Sequence, residues 1–148
     1  MTKVILAIGL YIIALSTSAQ RPEETMANEE EQVKALHAEY FQALGSGDMD
    51  ALAEKFTFPA AFKGFLEDVV VATDKESLAT TYQALIAAAP KASRGETNYT
   101  EVAYIRPNVY MLTYDYEQFD ENDSLIHKGK AIYFAKKVDG EFRLFAVF

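Results

Sequence analysis

Few residues in this chain could do chemistry, and they fall in two places. His37 and Tyr40 are three apart, a spacing that sets both on one side of a helix, where an imidazole and a phenol could act as acid and hydrogen-bond donor. Asp115 stands between Tyr114 and Tyr116 and would be a candidate base if it pointed inward. Strand alternation argues the other way, because it groups Tyr110, Tyr114 and Tyr116 on one face and Asp115 on the other. Tyr82 adds a further phenol on a helical stretch. Against every chemical reading stands plain packing, since aromatic residues on the inner face of a helix usually belong to the core.

Other chemistries are absent from the sequence. With no cysteine, thiolate nucleophiles, thiolate metal sites and disulfides are excluded. The two histidines, His37 and His127, are far apart without an evident carboxylate partner, so no metal site is expected. His127 and Lys128 read as surface residues near a strand start. Asp120-Glu121-Asn122-Asp123 lacks the glycine and distal glutamate of a calcium loop and reads as a solvated turn. Asn98-Tyr99-Thr100 and Asn122-Asp123-Ser124 match the glycan acceptor pattern. There is no Gly-rich phosphate loop and no serine nucleophile elbow, and no cofactor is expected.

The elements that must position these residues follow from periodicity. Val33, Leu36, Tyr40, Phe41 and Leu44 recur at helical spacing, which predicts a helix over Glu29–Leu44 with an acidic first turn, ended by Gly45-Ser46-Gly47. Asp48 can cap a second, short helix carrying Met49, Leu52, Ala53 and Phe56 on one face. Two short strands are expected between Phe58 and Ala72. Thr73 and Glu76 then have capping-box spacing before a third helix, through Leu78, Tyr82, Leu85, Ile86 and Ala89, which Pro90 stops. After a loop over Lys91–Glu96 the period becomes two. Strands are expected over Thr97–Ile105, Asn108–Phe119, Ile126–Val138 and Glu141–Phe148, the last two joined by the tight-turn pair Asp139-Gly140.

The first nineteen residues have the layout of a secretory signal. Met1-Thr2-Lys3 precedes the apolar run Val4 to Leu15, and Ser16-Thr17-Ser18-Ala19 offers small residues for cleavage before Gln20. The run falls short of the roughly 20 apolar residues that a span needs, so no stable membrane insertion is expected after cleavage, and the location is secreted or periplasmic. Gln20–Asn28 reads as a polar tether without fixed structure. Loss of Lys3 takes the formal charge from −8 to −9. Together with scattered basic residues this argues against nucleic acid, which is bound through clustered Lys and Arg.

Three helices followed by a long meander, together with the stretch Tyr40-Phe41-Gln42-Ala43-Leu44-Gly45-Ser46-Gly47-Asp48 and the following Met49-Asp50-Ala51-Leu52 and Phe56, resemble the nuclear transport factor 2 superfamily. The likeness is to its SnoaL-like and ketosteroid-isomerase-like branches and spans roughly residues 29–148. It implies an α+β cone, three N-terminal helices packed on a curved, mainly antiparallel sheet around an apolar pocket. Matching through the Gly-Asp turn places Tyr40 on the pocket tyrosine of the isomerases. The isomerase base then falls at Gly64 and its second acid at Ile132, neither of which can do the chemistry.

Three functions remain open on these residues. One is a binding module that holds a small apolar or aromatic molecule, with Tyr40, His37, Tyr82, Tyr110, Tyr114 and Tyr116 as lining candidates. Another is a cyclase-, isomerase- or dehydratase-like enzyme using Tyr40 with His37 or Asp115. The third is a protein-interaction domain acting through the sheet. Because both sheet faces are partly apolar, a homodimer through the sheet is expected.

Overall fold

Helix α1 runs over Glu23–Ser46 in a computed structural model that describes residues 23–148, the side chains of Asn98 and Tyr99 excepted. The helix begins six residues earlier than the periodicity predicts, so Glu23–Asn28, expected as tether, is helical. Two causes are visible. Glu23 and Glu24 complement the helix dipole in the first turn. One turn further on, Glu29 is buried against the sheet, where Tyr110 donates to its Oε2 at 2.8 Å and Lys137 to its Oε1 at 3.3 Å. The secretory signal, Gln20–Pro22 and the glycan acceptor side chain of Asn98 lie outside the described residues.

Gly47, at φ 72°, ends α1 in the left-handed region, and the amides of Gly47 and Asp48 bond back to Leu44 and Ala43. Asp48 caps helix α2, Met49–Glu54, accepting from the Ala51 amide at 2.9 Å. Helix α3, Lys75–Ala88, is capped one residue later than the spacing suggested. Asp74 accepts from the Ser77 amide at 2.8 Å while Ser77 Oγ accepts from the Asp74 amide at 3.1 Å. Thr73 and Glu76 are therefore not the capping pair, because the shorter serine side chain reaches the cap backbone. No described helix is long and apolar enough to cross a membrane.

The strands are β1 (Phe56–Phe62), β2 (Val70–Ala72), β3 (Arg94–Arg106), β4 (Val109–Phe119), β5 (Leu125–Val138) and β6 (Glu141–Val147). They form one curved, open sheet in the order β2-β1-β6-β5-β4-β3, antiparallel except where β1 runs parallel to β6. Strand β3 begins at Arg94, inside the expected loop, because its register with β4 continues to Phe119. Asp139 and Gly140 both have positive φ, as a two-residue hairpin of this kind requires. The Asp120–Ser124 turn is satisfied internally, Asp120 Oδ1 accepting from the amides of Asn122 and Ser124.

All three helices pack on one face of the sheet, giving the α+β architecture expected. The core joins Val33, Leu36, Tyr40 and Ala43 of α1, Leu52 of α2, and Leu78 and Tyr82 of α3 to Tyr110, Leu112, Tyr133, Ala135 and Leu144. The inward positions of β4 and β5 fall in register, Leu112 opposite Tyr133, Tyr114 opposite Ala131 and Tyr116 opposite Gly129. That alternation determines which side chains can reach a space between helices and sheet.

Candidate functional site

Such a space exists. A cavity of about 560 Å³ lies between α1, α3 and the inner face of β4 and β5. Helix α1 contributes Tyr40, Phe41 and Leu44, and α3 contributes Tyr82, Leu85, Ile86 and Ala89. The sheet supplies Tyr114, Tyr116 and Gln118 from β4 and His127, Gly129, Ala131 and Tyr133 from β5, while Gly64 and Phe65 of the β1–β2 link close one side.

Its floor is a cluster of phenols. Tyr40, Tyr82 and Tyr133 are each at most 5% exposed. The Tyr82 hydroxyl donates to that of Tyr40 at 2.9 Å, and the Tyr133 ring meets that of Tyr40 edge-on at 5.5 Å. Burial pushes all three phenols well above their ordinary range, because a phenolate would have to be formed away from water. At physiological pH the floor is therefore a set of neutral O–H groups that can donate to and accept from a ligand oxygen.

The mouth is more open and more polar. Tyr114 and Tyr116 stack at 5.7 Å, the Tyr116 hydroxyl lies 3.2 Å from His127 Nε2, and Phe65 meets the His127 ring edge-on at 5.3 Å. Exposed Phe41, Ile86 and Phe148 complete the rim.

Tyr40, Tyr82, Tyr114 and Tyr116 thus come together around one cavity. Tyr110 does not join them. It is fully buried beyond the cavity, with its hydroxyl bound to Glu29 and its ring against Tyr104 and Phe142. His37 is also outside the lining. It sits behind the wall among the rings of Tyr40, Phe41, Tyr114 and Tyr133, its Nε2 without a hydrogen-bond partner, and burial lowers its pKa to about 4. A neutral imidazole walled off by aromatic rings has no access to a bound molecule. Asp115 points to the opposite sheet face and pairs with Lys130 at 2.7 Å.

The two positions that the isomerase resemblance singled out are also placed. Gly64 lines the cavity, and Ile132 lies across from Thr113 on the outer face, between the inward Ala131 and Tyr133. Among the described lining residues only Glu117 carries a carboxylate, and Lys128 binds it at 2.7 Å. No group of three or more His, Asp or Glu that could hold a metal ion occurs among the described residues.

Sequence reasoning passed over Tyr133, Gln118, Phe65 and His127. The first two could have been found by extending the tyrosine alternation along β4 and across to β5. His127 read as surface, yet it is half-buried because Tyr116 lies over Gly129 and reaches it. For Phe65, in an irregular link, no periodic signal existed.

No protein-family profile matches the sequence, and no curated protein matches it either. Solved structures do match. An NTF2-like protein of unknown function from Pseudomonas putida KT2440 aligns over 82% of this chain and 84% of its own, with TM-score 0.65 at 9% identity. A cystatin-like-fold protein of unknown function from Nostoc punctiforme PCC 73102 aligns over 82% and 89%, with TM-score 0.64 at 16% identity. A ketosteroid isomerase-like protein from Erwinia carotovora atroseptica SCRI1043 aligns over 80% and 92%, with TM-score 0.61 at 14% identity. At these identities the likeness is one of fold.

Proposed function

We propose that this chain, which has the nuclear transport factor 2-like fold, is a binding module that holds a small apolar or aromatic molecule in the cavity between its helices and sheet. The observation that carries the reading is the make-up of the cavity. Its walls are aromatic and aliphatic, its floor is the neutral Tyr40–Tyr82–Tyr133 cluster, and its one lining carboxylate is tied to Lys128. Mostly apolar pockets of a few hundred Å³ with a few convergent polar groups are the usual form of small-molecule sites. Proton abstraction beside a carbonyl would call for a base facing the ligand; Asp115 and His37 face elsewhere, and the one imidazole in the lining, His127, is engaged at the mouth with the Tyr116 hydroxyl.

The test uses a fluorescent apolar probe, N-phenyl-1-naphthylamine, and an Ala131→Phe variant that fills the cavity from β5. The native protein should enhance probe fluorescence saturably, and the variant should not while keeping a cooperative melt. Equal enhancement by both proteins would place the probe elsewhere and refute the reading.

The same proposal includes export and self-association. Export rests on the basic start, apolar run and small-residue site of residues 1–19 and is tested by N-terminal sequencing of the protein from its host, which should read from Gln20. A homodimer is supported by the outer sheet face, where Phe134 packs 6.0 Å from Phe145. Phe134→Glu should convert a dimeric sedimentation mass to a monomeric one, and a native protein that is monomeric at micromolar concentration would contradict it.

A further inference from the structure

The floor of the cavity is polar, and so, separately, is its mouth. Tyr116 and Gln118 are two apart on β4 and share its inner face, and His127 stands directly across the ladder from Gln118. Tyr116 and His127 partner each other at 3.2 Å. Gln118 Oε1 is covered by the surrounding protein and has no hydrogen-bond partner. The arrangement depends on Gly129, opposite Tyr116, since a Cβ there would stand 2.7 Å from the Tyr116 hydroxyl and 3.1 Å from His127 Nε2. The neighbouring charges do not meet the need of Gln118, because Glu117 and Lys128 bind each other and Asp115 binds Lys130.

We propose that this mouth is a subsite for the hydrogen-bond-donating head, a hydroxyl or an amide N–H, of a ligand whose apolar body lies against Phe41, Leu44 and Leu85. The proposal rests on the cavity-binding reading and specifies one end of its ligand. A covered acceptor without a partner is an unfavourable state for the glutamine. Turning the side chain into the cavity brings Oε1 to a donor on the ligand, and a hydroxyl that donates there retains lone pairs for the Tyr116 O–H. A site whose acceptor is paired by the ligand's donor discriminates against an analogue that lacks it.

Two probes with one ring system separate the cases: 2-naphthol, which carries the donor, and 2-methoxynaphthalene, which does not. Titrated by fluorescence, the native protein should bind 2-naphthol roughly tenfold more tightly, the discrimination expected for one buried hydrogen bond. In Gln118→Leu, shown by its melt to be folded, that preference should fall to about twofold or less, with 2-methoxynaphthalene bound at least as well as before. A native protein indifferent to the two probes would overturn the proposal. So would a preference that persists in Gln118→Leu, which would put the naphthol oxygen on the Tyr40–Tyr82 floor and leave the cavity-binding reading standing. Failure of the native protein to bind either probe would overturn both.

Discussion

His37 gives the sharpest link between burial and a measurable pH dependence. Its neighbours are Tyr40 and Phe41 from α1, Tyr114 from β4 and Tyr133 from β5, and none of these offers a carboxylate to an imidazolium. Burial therefore lowers its pKa to about 4. The unfolded chain takes up the proton near the ordinary value of about 6.5. For a base whose folded pKa is depressed, the stabilising contribution is complete above the unfolded value. It is lost as pH falls from about 6.5 toward about 4, because there the unfolded state binds the proton and the folded state refuses it. With each pKa unit worth about 1.4 kcal/mol, the loss over that window is about 3 kcal/mol, a large part of the margin of a small domain. The perturbation is His37→Leu, of similar size and without a titrating group. Urea unfolding at a series of pH values should show the native protein losing about 3 kcal/mol more than the variant between pH 6.5 and 4. At pH 7 the variant should be no less stable than native within about 1 kcal/mol, since it removes a buried Nε2 that lacks a partner. Stability curves that fall in parallel would refute the reasoning, showing that the charged ring finds compensation in the folded state.

Other substitutions test the frame around the cavity. Gly129→Ala should push Tyr116 off β5 and break its contact with His127, destabilising the fold by about 1–2 kcal/mol; made in a Tyr116→Ala background, the same substitution should cost almost nothing in thermal melts if the clash is the cause. Glu29→Ala leaves the buried Tyr110 hydroxyl and Lys137 without this partner and should cost about 3 kcal/mol, whereas Glu29→Gln, still able to accept from Tyr110, should cost about half as much in chemical denaturation. Asp74→Ala removes the α3 cap and should cost about 1 kcal/mol, while Thr73→Ala should be close to neutral; the reverse order would restore Thr73 as the cap.

How much of this was legible depended on the range of the interactions involved. The helices and strands were readable because Val33, Leu36 and Tyr40, or Tyr110, Leu112 and Tyr114, repeat at the period of their element. Where α1 starts was not, because its first turns are held by Glu29 meeting Tyr110 and Lys137, and no local pattern reveals a partner that far along the chain. In the cavity, one tyrosine row was visible on β4, and the facing direction of Asp115 followed from alternation. The depth of each tyrosine did not follow. Tyr110 and Tyr114 share a face, yet one ends in the core beside Glu29 and the other at the cavity, a difference set by where α1 crosses the sheet. His37 lies within the helical aromatic group that periodicity identifies, but only the packed rings decide that it serves as a wall.

The position of β6 bears on how the chain comes to be folded. This strand follows β5 along the chain and lies near the middle of the sheet, with β1, more than 70 residues earlier, on one side and β5 on the other. Among the described strands, its neighbour β1 reaches β5, β4 and β3 only through β6: the Leu144 amide bonds to the Lys55 carbonyl, and the Lys63 amide bonds to the Val147 carbonyl. Until residues 141–147 are in place, the β1–β2 hairpin and the β3–β4–β5 meander are separate pieces. The cavity, which needs α1, α3 and β5 held at fixed distances, should therefore form late, when the strand joining the two pieces arrives. Contacts between residues so far apart along the chain slow folding.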